Sequence, residues 1–119
     1  MLEPVLTSSF EKELKGILKK FPNSKKRIKL EIDSLDEKTG DRYPGFGDDL
    51  IVRKQRIGLP EYKLGRSRGL RVICLFLVHK GKKVPLVIYQ KSKAGQENKV
   101  KQLIITRLKE MAATMSTAD

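Results

Sequence analysis

The segment Leu70–Val78 (LRVICLFLV) constrains this 119-residue chain more than any other feature. Apart from Arg71 every position is hydrophobic, so neither face of the segment belongs in water, and it reads as the central strand of a sheet. The stretch His79-Lys80-Gly81-Lys82-Lys83 has the composition of a hairpin connection. Val84–Tyr89 (VPLVIY) then returns as the neighbouring strand, with Pro85 tolerated near its start. Leu50–Ile57 (LIVRKQRI) mixes β-branched with long basic residues, the pattern of a half-exposed third strand.

Helical periodicity brackets these strands. Phe10, Leu14, Ile17, Leu18 and Phe21 form one stripe of an α-helix. Ser8 with Glu11 fits a capping box at its start, and Pro22 ends it at Phe21. The residue types of Asn23–Asp36 favour a second helix over a strand. Val100, Leu103, Ile104, Leu108 and Met111 mark a C-terminal amphipathic helix, with Met115–Asp119 as a frayed end. Between these elements, residues 37–49 (EKTGDRYPGFGDD) and Gly58–Gly69 (GLPEYKLGRSRG) have loop chemistry, and Lys91–Asn98 reads as a polar connection. The expectation is a single α+β domain over residues 1–119, with a frayed tail from about residue 113: an N-terminal helical hairpin, a small antiparallel sheet and a C-terminal helix.

Charge narrows the function. Residues 1–50 carry ten basic and ten acidic side chains. Residues 51–119 carry sixteen and four, which is the whole net charge of +12. A polyanion is the natural partner of such a surface, because neutralising phosphates releases condensed counterions. Solubility alone is the plainer explanation, and an acidic protein or an anionic membrane surface would suit the charge as well. One cysteine (Cys74) excludes an intrachain disulfide and points to a reducing compartment. One histidine (His79) with one cysteine cannot build a protein-only zinc site or a Cys/His nucleophile pair. The longest apolar run, Val72–Val78, falls well short of the roughly 20 residues needed to cross a bilayer, and the N-terminus lacks the pattern of a secretory signal. A cytoplasmic protein without metal or small-molecule cofactor is expected.

The informative polar residues lie in the predicted strands. Lys54 and Arg56 share one strand face, Arg71 interrupts an apolar strand, and Tyr89 and Lys91 lie two apart at the end of the last strand. Were the three strands neighbours, all five would converge on one patch. The structural alternatives are a solvated face for Lys54 and Arg56, and an ion pair with Asp48 or Glu61 for Arg71. Such a cluster has the parts for RNA scission by the 2′-hydroxyl: a lysine for proton transfer, arginines for phosphate oxygens and a tyrosine to stack or donate a proton. Gly65-Arg66-Ser67-Arg68-Gly69 lacks the nucleotide-binding glycine-loop pattern but suits phosphate contact. His79 is expected to be exposed and Cys74 to fill core. The acids Glu31, Asp33, Asp36, Glu37, Asp41, Asp48 and Asp49 have no metal-like spacing and read as a solvated rim.

Three segments taken together resemble the RelE/ParE superfamily of toxin–antitoxin toxins. They are Arg53-Lys54-x-Arg56-Ile57, Gly69-Leu70-Arg71-Val72-Ile73 and Leu86-x-Ile88-Tyr89-x-Lys91, followed by a closing helix. The resemblance covers most of the chain, and its specific content lies in residues 50–93. It implies a RelE/HigB-like toxin that cleaves mRNA on the ribosome without a metal and is restrained by a cognate antitoxin protein. It assigns Lys54, Arg56, Arg71, Tyr89 and Lys91 to the catalytic site, with Arg71 as phosphate stabiliser. Arg53, Lys63, Arg66, Arg68 and Lys93 are the further cations expected along the RNA. Two other readings stay open: a ParE-like toxin that inhibits DNA gyrase without being an enzyme, and a basic nucleic-acid-binding module.

Overall fold

The computed structural model describes residues 2–47, 50–91 and 96–117. These residues form an α+β fold of three α-helices and one mixed sheet. In chain order the elements are β1 (Glu3–Pro4), α1 (Ser8–Lys20), α2 (Lys25–Ser34), β2 (Asp41–Arg42), β3 (Ile51–Ile57), β4 (Leu70–Leu77), β5 (Lys82–Gln90) and α3 (Gln96–Thr117). The sheet runs β1-β5-β4-β3-β2, so the apolar segment is its central strand.

The position of β4 explains its sequence. Leu70, Val72, Cys74 and Phe76 turn to one side and pack with Phe10, Phe21, Ile28, Ile32 and Leu35 of the N-terminal helices and their connections. Ile73 and Leu75 turn to the other side and pack with Val100 and Ile104 of α3. Both faces are covered, which is why alternation is absent. Cys74 is core filling as expected, and burial pushes its thiol up to about 12. His79 is exposed.

Several local expectations need correction. The sheet is not wholly antiparallel: β1 lies parallel to β5, held by Glu3 N–H on the Gly81 carbonyl (2.9 Å) and Val5 N–H on the Lys83 carbonyl (2.8 Å). The cap of α1 is Thr7, whose Oγ1 accepts from Phe10 N–H at 3.2 Å, because Ser8 already has helical geometry; the Ser8–Glu11 box therefore does not form. Residues 37–49 are not all loop, since Asp41 and Arg42 pair antiparallel with Lys54 and Arg53. Gly40 makes this possible: it has a positive φ of 68°, and a Cβ there would collide with the Lys54 carbonyl. The helix α3 begins at Gln96, inside the expected polar connection, and continues to Thr117.

Two polar groups hold the layers together. Lys83, expected in a turn, is fully buried in β5. Its Nζ donates to the carbonyls of Asp33 and Leu35, both at 2.8 Å, where α2 ends and its last carbonyls lack helical partners. Burial lowers its pKa. On the outer side of β5, beyond the reach of β1, Arg107 of α3 and Glu13 of α1 form a bidentate ion pair (2.7 and 3.1 Å). Arg107 also donates to the Leu86 carbonyl (2.6 Å), and Glu13 accepts from Ile88 N–H (2.7 Å). Side chains thus occupy the backbone groups that another strand would use. No helix among the described residues is long and apolar enough to cross a membrane.

Candidate nucleic-acid interface

The face of the sheet that carries α3 is only partly covered by it, and the remainder is where the cations gather. Strand register aligns Arg56 of β3, Arg71 of β4 and Tyr89 of β5 in one cross-strand row. The adjacent row is Lys54, Ile73 and Val87. With strands about 4.8 Å apart, each row spans about 10 Å. Lys91 continues beyond Tyr89, its N–H on the Gly69 carbonyl at 3.1 Å, and its side chain is exposed. Alternation puts it on the same face as Tyr89. The structure therefore brings Lys54, Arg56, Arg71, Tyr89 and Lys91 to one end of one face.

Their accessibilities differ. Arg56 is exposed and Lys54 half-buried, whereas Arg71 is only 2% exposed. Among the described residues no carboxylate holds the Arg71 guanidinium. It donates to the carbonyls of Arg66 (2.8 Å), Ser67 (3.0 Å) and Leu70 (3.3 Å). The alternative of an ion pair with Glu61 is not realised, since Glu61 is bound to Arg27 at 2.9 Å; Asp48 lies outside the described residues. Burial and the opposing Arg56 lower the Arg71 pKa, although an arginine keeps its charge throughout the ordinary range. Its fork clamps the loop between β3 and β4, so its structural work is to present that loop. Arg66 and Arg68 stand exposed on it, and Arg66 reaches the Arg56 carbonyl at 3.5 Å. Gly69 closes the same loop, where a Cβ would collide with the Ile57 carbonyl.

The further cations divide. Lys63 is exposed in the same loop with a left-handed φ of 58°. Arg53 does not join the patch: strand alternation points it to the opposite face, where it donates to the Thr39 (2.7 Å) and Gly40 (2.6 Å) carbonyls and anchors the turn before β2. The expectation that it lies along RNA beside Lys54 fails for that reason. Lys93 lies outside the described residues.

Two residues of the patch escaped the sequence reading. Tyr43, just after β2, is buried, and Lys54 Nζ lies 5.9 Å from its ring centroid. Its hydroxyl donates to Glu97 Oε2 at 3.5 Å. Glu97 is on the first turn of α3, beside Gln96, whose amide donates to the Gln90 carbonyl at 3.1 Å. Burial, with the nearby Glu97 carboxylate, raises the Tyr43 phenol. Tyr89 is raised further, again by burial first and Glu97 second, and its hydroxyl is enclosed with no hydrogen-bond partner among the described residues. A loop tyrosine and a glutamate in a polar connection carry no signal by themselves; only the sheet register and the start of α3 join them to the cations.

The patch as a whole offers exposed donors for phosphate oxygens at its rim and a buried positive charge beneath. Two protonated phenols and one carboxylate lie at the edge next to α3. No group of three or more His, Cys, Asp or Glu among the described residues could hold a metal ion. No protein-family model, curated protein or solved structure matches the chain.

Proposed function

We propose that this protein is a RelE/HigB-like toxin of a toxin–antitoxin system that inhibits translation by cleaving mRNA on the ribosome. The observation carrying the reading is the cross-strand row Arg56–Arg71–Tyr89, with Lys54 in the next row and Lys91 beyond it. Support also comes from the exposed Arg66 and Arg68 on the adjoining loop, and from the charge excess confined to residues 51–119.

In this reading the exposed Arg56, Lys91, Arg66 and Arg68 bind the phosphates on either side of the scissile bond, and Lys54 sits at the reacting phosphate. The ribose 2′-oxygen attacks phosphorus, its bond to phosphorus forming as the bond to the 5′-oxygen breaks. The products are a 2′,3′-cyclic phosphate and a 5′-hydroxyl. Arg71 contributes from below, as a fixed positive charge under the phosphorane and as the clamp of the phosphate-binding loop. A cognate antitoxin and a cytoplasmic location belong to the same reading, as does the assignment of the fold to the RelE/ParE type.

The test uses residues whose side chains are not structural clamps. Arg56→Ala combined with Lys91→Ala should leave thermal unfolding close to wild type and abolish growth arrest on induction. Primer extension on cellular mRNA should show cuts with wild type and none with the double variant. Full toxicity of the folded double variant would overturn the assignment. Should chromosome replication stop before protein synthesis, the gyrase-inhibiting reading replaces it.

A further inference from the structure

We propose that Glu97 is the proton-accepting group of this patch, taking the proton of the ribose 2′-hydroxyl. The inference rests on the nucleolytic reading and names the residue that starts the reaction. Its geometry is a short relay along the margin of the patch. Glu97 Oε2 accepts from the Tyr43 hydroxyl at 3.5 Å, and the Tyr43 ring lies 5.9 Å from Lys54 Nζ. Among the described residues, the charged and titratable groups that interact with Glu97 are Tyr43 from the segment after β2, Arg71 from β4 and Tyr89 from β5, with Lys101 one turn further along α3.

Elimination by chemistry leaves Glu97. Arginine does not deprotonate in proteins, so Arg56 and Arg71 cannot accept a proton. An ammonium must lose one before it can act as a base. The phenols of Tyr43 and Tyr89 are held protonated by burial, which leaves each a donor rather than a base. A carboxylate accepts a proton as it stands. The charge distribution adds an independent reason. Residues 51–119 contain four acids against sixteen basic residues, and one of the four lies at the margin of the phosphate-binding patch. An anion there weakens the hold on RNA, a cost that a part in the chemistry would offset.

The step balances within the patch. Glu97 takes the proton as the 2′-oxygen bonds to phosphorus, and the Lys54 ammonium protonates the departing 5′-oxygen. Exchange with solvent then returns a proton to Lys54 and removes one from Glu97, and no other reactant is consumed.

The test follows mRNA cleavage by primer extension on programmed ribosomes, together with binding of the same complexes, for wild type, Glu97→Gln and Glu97→Asp. Glu97→Gln should lower the cleavage rate about 10²–10⁴-fold while binding is kept or tightened. Glu97→Asp should restore part of the rate. Cleavage by Glu97→Gln within about threefold of wild type overturns the assignment of Glu97 alone. Parallel loss of binding and cleavage makes Glu97 a positioning residue and also overturns it. Absence of cleavage by wild type overturns the nucleolytic reading, and this inference with it.

Discussion

Replacing Glu13 by alanine should destabilise the protein far more than an ordinary change at a helix surface, and the size of the effect follows from four hydrogen bonds. Glu13 neutralises Arg107, whose side chain is 12% exposed, through bonds of 2.7 and 3.1 Å. It also satisfies Ile88 N–H at 2.7 Å, while Arg107 holds the Leu86 carbonyl at 2.6 Å. Removal leaves a nearly buried cation with one carbonyl for company and a strand N–H with no acceptor. Breaking a buried pair costs roughly 3–5 kcal/mol, and the 22% exposure of the Glu13 side chain lets in enough water to favour the lower end, about 3 kcal/mol. With an unfolding entropy of about 0.25 kcal/mol/K for a chain of this length, the midpoint should fall about 12 °C. Glu13→Gln keeps an acceptor for Ile88 N–H and should lose about half as much. Urea titration of Glu13→Ala, Arg107→Ala and the double variant completes a cycle, in which the double should be less destabilised than the sum by about 2 kcal/mol. Strict additivity, or a Glu13→Ala loss below about 0.5 kcal/mol, would refute the argument that this pair holds the outer edge of β5.

Cys74 gives an alkaline signature: its thiol is raised from 9.0 to about 12 by burial, so the unfolded chain loses that proton first, and stability present below pH 9 declines as pH rises towards 12. At pH 10 the decline from this group should be about 1.4 kcal/mol, and urea midpoints at pH 8 and 10 should show it in wild type and not in Cys74→Ala. Arg71→Lys keeps the charge but not the fork, so it should cost about 2–3 kcal/mol and open the 65–69 loop to limited proteolysis, whereas a loop cut no faster than in wild type would remove the clamp. For RNA binding, Arg56→Ala and Lys91→Ala should each flatten the plot of log affinity against log salt by about 0.7, and a slope unchanged in both would separate these cations from phosphate contact.

The fold and the patch were legible to different depths. A nearly uninterrupted apolar segment and two helical stripes were enough for the central strand, α1 and α3, because burial on both faces and on one stripe leave opposite imprints on residue order, while α2 was legible only from its residue types. β1 and β2 left no imprint, being two residues long and set by backbone pairing with strands far away in sequence. Lys83 was misread because a lysine pair following a glycine signals a turn; what buries it is a helix end supplied by residues 33–35, some 50 positions earlier. Arg53 was misplaced against the alternation that correctly paired Lys54 with Arg56. Arg71 was rightly singled out as needing a partner, but that partner is a row of carbonyls in its own neighbouring loop rather than an acid.

The parallel strand β1 has a consequence for the order of events in the life of the chain. Residues 3–5 leave the ribosome long before their hydrogen-bonding partners, residues 81–83, which are made some 80 positions later. The end of α2 likewise waits for Lys83, and Glu13 for Arg107. Such distant pairings are slow to find, since a long loop must close before any of them forms. The amino-terminal third therefore has to remain without its docking surface until residues 81–107 have been made. Products cut short before residue 81 should stay unstructured, and the cationic patch can assemble only once β5 and the start of α3 have followed β3 out of the ribosome.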